Sequence, residues 1–268
     1  MDNNNNQKNN YLFIDTSNWI FFRYYGLKKY FEIKDKIKYN SEELINNQDF
    51  INKFSNFDSK LKEIIKKLKI NNPKIYFICD CPRKNIWRND LYKNYKSNRI
   101  KNNDIGFYFQ YSYNNIINNY NSIKLDKLEA DDIIGTITKY LIDNNNYNNI
   151  YIITNDNDYL QLNYNEKIHL YNYSCKNLKE KSLGSREKDL YTKIMMGDKS
   201  DNILPIHKKC GIKTALKYIE DKNLLENKFK NDETILKNYK LNEEIINFEF
   251  IPIELKKNII KFWNNYNI

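Results

Sequence analysis

The sequence predicts an α/β fold: a mostly parallel central sheet flanked by helices. Three short apolar runs predict the sheet, YLFID (11–15), IYFICD (75–80) and IYIITNDND (150–158). Uniformly apolar runs of this length read as strands buried on both faces, and each run delivers an aspartate at or just past its carboxyl end. Segments of helical period lie between them. In EADDIIGTITKYL, residues Ala130, Ile133, Ile134, Ile137 and Leu141 form one stripe, and Leu61, Ile64, Ile65 and Leu68 form another in LKEIIKKLKI. Strands alternating with helices imply right-handed crossovers, and ligands of such sheets gather at the carboxyl ends of the strands. Asp15, Asp80 and Asp156 belong there.

Along the chain, residues 1–10 are polar, Asn-rich and without periodicity, so a disordered tail is expected. The α/β domain is expected over 11–185. From 186 to 268 the pattern changes to helices and turns without strands. Residues 189–219 read as helix, loop, helix, with Gly211 and basic residues at the second helix's start. Near the end, Pro252 opens a helix whose apolar face is Leu255, Ile259, Ile260 and Trp263. No internal repeat is visible.

Lys and Arg total 44 against 34 Asp and Glu, a net charge of +10, which favours an anionic partner. No apolar stretch approaches the roughly 20 residues of a membrane span, and MDNNNNQKNN lacks the apolar centre of a signal peptide. A soluble, intracellular protein without a membrane partner is expected. Cys79, Cys81, Cys175 and Cys210 show no CxxC spacing, so reduced thiols are expected, with a zinc site using them and His169 or His207 as the lesser alternative.

Against this basic background, LEADDIIGTI crowds Glu129, Asp131 and Asp132 into one turn. Alone, EADD reads equally as acids favoured by a helix N-terminus. Asp15, Asp80, Asp156 and Asp158 at the strand ends, with Asp198 and Asp201 in GDKSDN, change that balance, because the expected sheet brings the strand-end and EADD acids to one edge, within reach of the last pair from its loop. Crowded carboxylates raise one another's pKa and call for a counter-charge. Oxygen-only ligands select hard cations, so Mg²⁺ is expected, with Mn²⁺ as its substitute. Two such ions about 3.5 to 4 Å apart serve the in-line displacement of phosphodiester hydrolysis.

Drawn as a helix, residues 81–104 place Arg88, Tyr92, Lys96 and Arg99 on one stripe beside Trp87, Leu91 and Tyr95. Cations beside rings suit a nucleic-acid strand, and a solvated charged face over core aromatics is the plainer alternative. His169 and His207 read as surface or hydrogen-bonded residues, and Gly197 as a turn residue first.

Taken in order, LFIDTSN, FICD with WRNDLYKNYKSNR, LEADDIIGTI, IYIITNDNDYLQL, and MMGDKSDNI with GIKTALKYI make residues 11–220 resemble the flap endonuclease and 5'-3' exonuclease family. The resemblance implies that Asp15, Asp80, Glu129, Asp131, Asp132, Asp156, Asp158, Asp198 and Asp201 are the metal-site acids, holding two Mg²⁺ ions. It implies that Arg88 and Lys96 assist catalysis, and that they, Tyr92 and Arg99 belong to a helical arch near 82–104 that takes the single-stranded 5' end. It implies a helix-three-turn-helix near 189–219, binding duplex phosphates through Lys208, Lys209, Gly211, Lys213 and Thr214 and through a K⁺ ion in its loop. That loop departs from the family pattern: Lys209 stands where glycine is more common, and it is slightly longer. The implied substrate is DNA with a 5' flap or 5' end, or an RNA-DNA hybrid. A monomeric, stand-alone nuclease of the phage or viral kind is expected, with no clear sliding-clamp peptide. Two rival readings stay open: a PIN-domain ribonuclease, which needs fewer acids and no arch, and a non-catalytic DNA-binding protein, which leaves the acids unexplained.

Overall fold

A computed structural model describes residues 8–99 and 105–266. In chain order its elements are β1 (Asn10–Asp15), α1 (Thr16–Asp35), α2 (Ser41–Ile45), α3 (Gln48–Ser55), α4 (Phe57–Lys67), β2 (Pro73–Cys79), α5 (Arg88–Leu91), α6 (Gly106–Asn119), β3 (Ser122–Lys124), α7 (Ala130–Asp143), β4 (Asn149–Ile153), β5 (Ile168–Tyr171), α8 (Arg186–Met196), α9 (Ile212–Glu220), α10 (Lys222–Asn231), α11 (Glu233–Ile246) and α12 (Ile253–Tyr266). The five strands form one parallel sheet in the order β3-β2-β1-β4-β5. The three predicted strands are therefore its central three. β1 runs between β2 and β4, with Ile14 opposite both Phe77 and Ile153, so the three carboxyl ends lie side by side.

Alternation along β1 divides the core between the faces of the sheet. Tyr11 and Phe13 pack with Tyr76, Ile133, Ile137 and Trp263, whereas Leu12 and Ile14 pack with Trp19, Phe50, Phe57 and Phe77. α7 buries the whole predicted stripe, Ala130, Ile133, Ile134, Ile137 and Leu141. At roughly 1.5–3 kcal/mol for each fully buried aliphatic side chain, that stripe anchors the helix whose first turn carries the acids. Gly135 lets α7 approach Phe248, since a Cβ there would meet the ring at 2.8 Å.

Among the described residues no strand follows Tyr171, and the chain beyond 186 is helical. Its end returns to the first core through Phe248, Ile251, Ile259 and Trp263. No described helix is long and apolar enough to cross a membrane. The expected tail falls largely on residues 1–7, outside the described residues, and Asn10 already opens β1.

The arch segment differs from the helix drawn for it. Residues 83–85 form a single 3-10 turn, α5 is one turn long, and residues 93–98 are turns. Tyr92 is extended at φ −138° and Lys96 is left-handed at φ 54°, so Arg88, Tyr92, Lys96 and Arg99 share no helical stripe. The physical reason is that three of these side chains find carboxylates inside the protein. Residues 100–104 lie outside the described residues.

Candidate active site

A cleft of about 1330 Å³ opens at the carboxyl edge of the sheet. Asp15, Asp80, Glu129, Asp131, Asp156, Asp158 and Asp198 line it. Each arrives by local structure. Asp15 ends β1 and caps α1, accepting from Asn18 N at 3.2 Å and Thr154 Oγ1 at 3.0 Å. Asp80, one residue past β2, accepts from Ser17 Oγ at 2.5 Å and from Ala130 N at 2.7 Å, so the N-terminus of α7 is fastened to it. Asp156 caps the 3-10 turn after β4, accepting from Asp158 N at 2.9 Å.

Ion pairs divide the acids into two sets. Glu129 pairs with Arg88 at 3.0 Å and with Lys96. Asp132 takes the other arm of Arg88 at 2.8 Å. Asp201 meets Lys96 at 3.5 Å and also Arg99. Lys193 joins Asp158 to Asp198, the latter at 2.8 Å. Asp15, Asp80, Asp131 and Asp156 have no ion-pair partner among the described residues.

Protonation follows this division. Burial, then the charge of Asp80, raises Asp15 to about 6. Burial, then Asp158, raises Asp156 to about 7. Asp80 is raised by burial and by Glu129, and Asp131 well above the usual carboxylate range by burial and by Asp132. Burial also opposes the charge of Glu129 and Asp198, yet Lys96 and Arg88 bring the first to about 2, and Lys193 brings the second to about 2. Nearby Lys96, Arg88 and Lys193 only partly offset these rises, so four crowded carboxyls receive too little positive charge to ionise together.

Two expected metal-site acids do not line the cleft. Asp132 does not line the cleft and is fully buried. Its oxygens accept from both arms of Arg88, from Trp87 Nε1 at 3.0 Å and from Glu129 N at 3.1 Å. The carboxylate oxygens of Glu129, Asp131 and Asp132 lie within 4.8 Å of one another, but only Asp131 is without a cation. Asp201 is likewise buried behind the cleft, where Tyr95 donates to it at 3.2 Å. Its oxygens cluster within 4.8 Å of those of Asp158 and Asp198.

The basic residues also separate. Arg88 is buried over the Trp87 ring and donates Nε to Ile245 O at 2.7 Å, so it is a strut and not a surface contact. Tyr92 donates to Asn202 O at 3.1 Å. Lys96 and Arg99 do line the cleft. Lys208, Lys209, Gly211 and Lys213 are exposed and Thr214 half-buried, in a loop and helix start apart from the cleft lining. Lys209 has φ 67°, the left-handed region that favours glycine. His169 stacks on Tyr151, His207 bonds Tyr218 OH at 3.0 Å, and the described metal-capable clusters contain carboxylates alone, which disfavours the zinc alternative.

Sequence reading missed Lys193 and an aromatic wall beside Asp15. Phe21 and Tyr25 stack at 6.2 Å, Phe109 meets Phe21 edge-on at 5.0 Å, and all three line the cleft. The signal was the i, i+4 pair of rings following Asp15 on one helix face.

Residues 10–195 match the family described as the 5'-3' exonuclease, N-terminal resolvase-like domain. The chain is 33% identical to a 5'-3' exonuclease of Buchnera aphidicola over 76% of this chain and 68% of that protein. It is 27% identical to Ribonuclease H of Enterobacteria phage T4 over 78% of this chain and 76% of that one. A structure of the phage T5 D15 flap endonuclease in a complex with DNA and metal ions shares the fold, with TM-score 0.65 at 14% identity over 96% of this chain and 98% of that one. The strand-end acids, the cleft they line and the match across most of the chain place this protein in the 5'-3' exonuclease and flap endonuclease family of hydrolases.

Proposed function

We propose that the chain is a metal-dependent, structure-specific 5' nuclease acting as a monomer on DNA 5' flaps and 5' ends, and on RNA-DNA hybrids. The observation that carries this reading is the set Asp15, Asp80, Asp131 and Asp156. Asp15 is buried and the other three half-buried, all are oxygen-only and without ion pairs among the described residues, and Asp15 and Asp156 are pushed up to about 6 and about 7. Oxygen-only donors of this kind would hold a hard divalent cation, Mg²⁺ or Mn²⁺, and Asp158, Asp198 and Asp201, with one oxygen of each within 4.8 Å of the others, would hold a second. Cations bound there supply Lewis-acid polarisation of water and neutralisation of phosphate charge.

The chain's own groups do the rest. Ser17 and Ala130 N orient Asp80, and Thr154 and Asn18 orient Asp15, so the ligand oxygens are fixed before a cation arrives. Lys96 and Arg99 present positive charge at the cleft to a phosphate backbone. The rings of Phe21, Tyr25 and Phe109 offer faces on which unpaired bases stack. The exposed Lys208, Lys209 and Lys213 would hold duplex phosphates in a helix-three-turn-helix, to which a K⁺ ion would add positive charge. Exchange of K⁺ for Na⁺ tests the ion's part in duplex affinity.

The deciding experiment is cleavage of a labelled 5'-flap duplex with Mg²⁺ and with EDTA, using the natural chain and Asp156→Asn. Cutting near the junction that needs Mg²⁺ and vanishes in the variant is expected. A flap bound but uncut with Mg²⁺ or Mn²⁺ leaves a DNA-binding protein, and cutting of single-stranded RNA alone points to a PIN-type ribonuclease.

A further inference from the structure

Lys193 stands in the last turn of α8 with 23% of its side chain exposed. Its Nζ pairs with Asp158 and lies 2.8 Å from Asp198 Oδ2. One oxygen each of Asp158, Asp198 and Asp201 falls within 4.8 Å of the others, and with Asp201 held by Lys96 and Arg99, the ammonium of Lys193 is the cation on the other two. An Mg²⁺ ion takes its oxygen ligands at about 2.0–2.1 Å, and an ammonium already hydrogen-bonded to the same oxygens stands in its way. Both cannot be held there at once.

We infer that Lys193 is a tethered cation that competes with the second divalent ion for the outer carboxylates, making that site an exchange site filled only when the ammonium swings away. The inference rests on the metal-dependent reading above. Asp15, Asp80, Asp131 and Asp156 have no ion-paired competitor, so the inner site fills first and more tightly. Lys193 also lines the cleft, and its flexible stem lets a displaced ammonium turn to an incoming phosphate. Substrate therefore favours filling of the outer site, and by reciprocity a filled outer site favours substrate.

The test is Mn²⁺ binding to the full chain, counted by electron paramagnetic resonance and titration calorimetry. The natural chain binds Mn²⁺ in a tight and a weak class. Lys193→Met tightens the weak class by about tenfold or more, the worth of one neighbouring charge, and changes the tight class less, because of its four acids Asp156 alone feels the ammonium. Asp198→Asn loses the weak class. Lys193→Gln repeats the measurement with a side chain that can still donate to the carboxylates. A weak class unchanged or weakened in both lysine variants overturns the inference.

The natural chain tests it a second way, with a variant needed only for assignment. Its Lys193 ¹⁵Nζ resonance, assigned by its absence from Lys193→Arg, stays in place while Mg²⁺ fills the tight class and shifts as the weak class fills. A resonance unmoved through saturation of both classes overturns the inference. Absence of any Mn²⁺ binding by the natural chain instead refutes the metal-centre reading on which this one stands.

Discussion

The four acids without ion pairs make the metal-free protein less stable as pH rises, and the size of the effect follows from their surroundings. Asp156 is held at about 7 and Asp15 at about 6, against an ordinary 3.8 for each. At 1.36 kcal/mol per unit these shifts correspond to roughly 4 and roughly 3 kcal/mol, and because the two acids interact their sum is a ceiling. The folded chain holds more protons than the unfolded chain between about pH 4 and about pH 7, so stability falls as pH climbs through that window. Asp80 and Asp131 are raised too and act in the same direction. Glu129 and Asp198, brought to about 2, contribute stability that is lost only as pH falls toward that value, outside the window. His169, lowered by burial, acts oppositely with one partly buried ring. At about 2–4 °C per kcal/mol for a chain of this size, the melting temperature in EDTA falls by roughly 10 °C between about pH 5 and about pH 8. Mg²⁺ binds the deprotonated carboxylates and restores more at the higher pH than at the lower. Differential scanning fluorimetry across the range, with EDTA and with Mg²⁺, measures both. A flat or rising EDTA profile, or an equal Mg²⁺ increment at both ends, refutes the assignment of these acids as an uncompensated cation site.

Arg88→Met leaves Asp132 and Glu129 buried with a charge removed, and urea unfolding is expected to show a loss of about 3–5 kcal/mol. Gly197→Ala is strained twice, by φ 67° and by a Cβ only 2.3 Å from Ile203 O, so a loss of about 2 kcal/mol or more is expected, together with weaker Mn²⁺ binding as the loop carrying Asp198 shifts. Substituting Lys208, Lys209 and Lys213 together by alanine should weaken duplex binding alike for all sequences and flatten its salt dependence by about one log unit per lost phosphate contact, leaving Mn²⁺ binding unchanged; fluorescence anisotropy at several salt concentrations reads it.

The central strands and α7 were legible because each carries its own signal, a uniformly apolar run or an unbroken 3.6-residue stripe. β3 (Ser122–Lys124) and β5 (Ile168–Tyr171) carry none, since segments so short become strands only by pairing with Phe77–Cys79 and Ile150–Ile153. At the site, the strand-end acids could be read from the runs that end in them. Which of them are neutralised could not, because the pairing is long-range: Arg88 reaches Asp132 across 44 residues and Lys193 reaches Asp158 across 35. The spacing of Arg88, Tyr92, Lys96 and Arg99 imitated a helix face. Local periodicity takes no account of a buried carboxylate elsewhere that offers a cation a better partner.

Those long-range pairs also explain why residues beyond 220 matter to a site formed by earlier ones. Arg88 fixes Asp132 and Glu129 at the start of α7, and its own position is set by Ile245 O at the end of α11. The next residues continue the tie, with Gln161 donating to Ile246 O at 3.2 Å and accepting from Phe248 N at 2.9 Å. Phe248 then packs against Gly135 of α7, while Trp263 of α12 packs at a tilt among Tyr11, Phe13 and Tyr76 on the same face of the sheet. α7 is thus held from its first turn to its middle by the C-terminal helices. Asp131, the unpaired acid beside Asp132, can project into the cleft because its neighbour is fastened from behind.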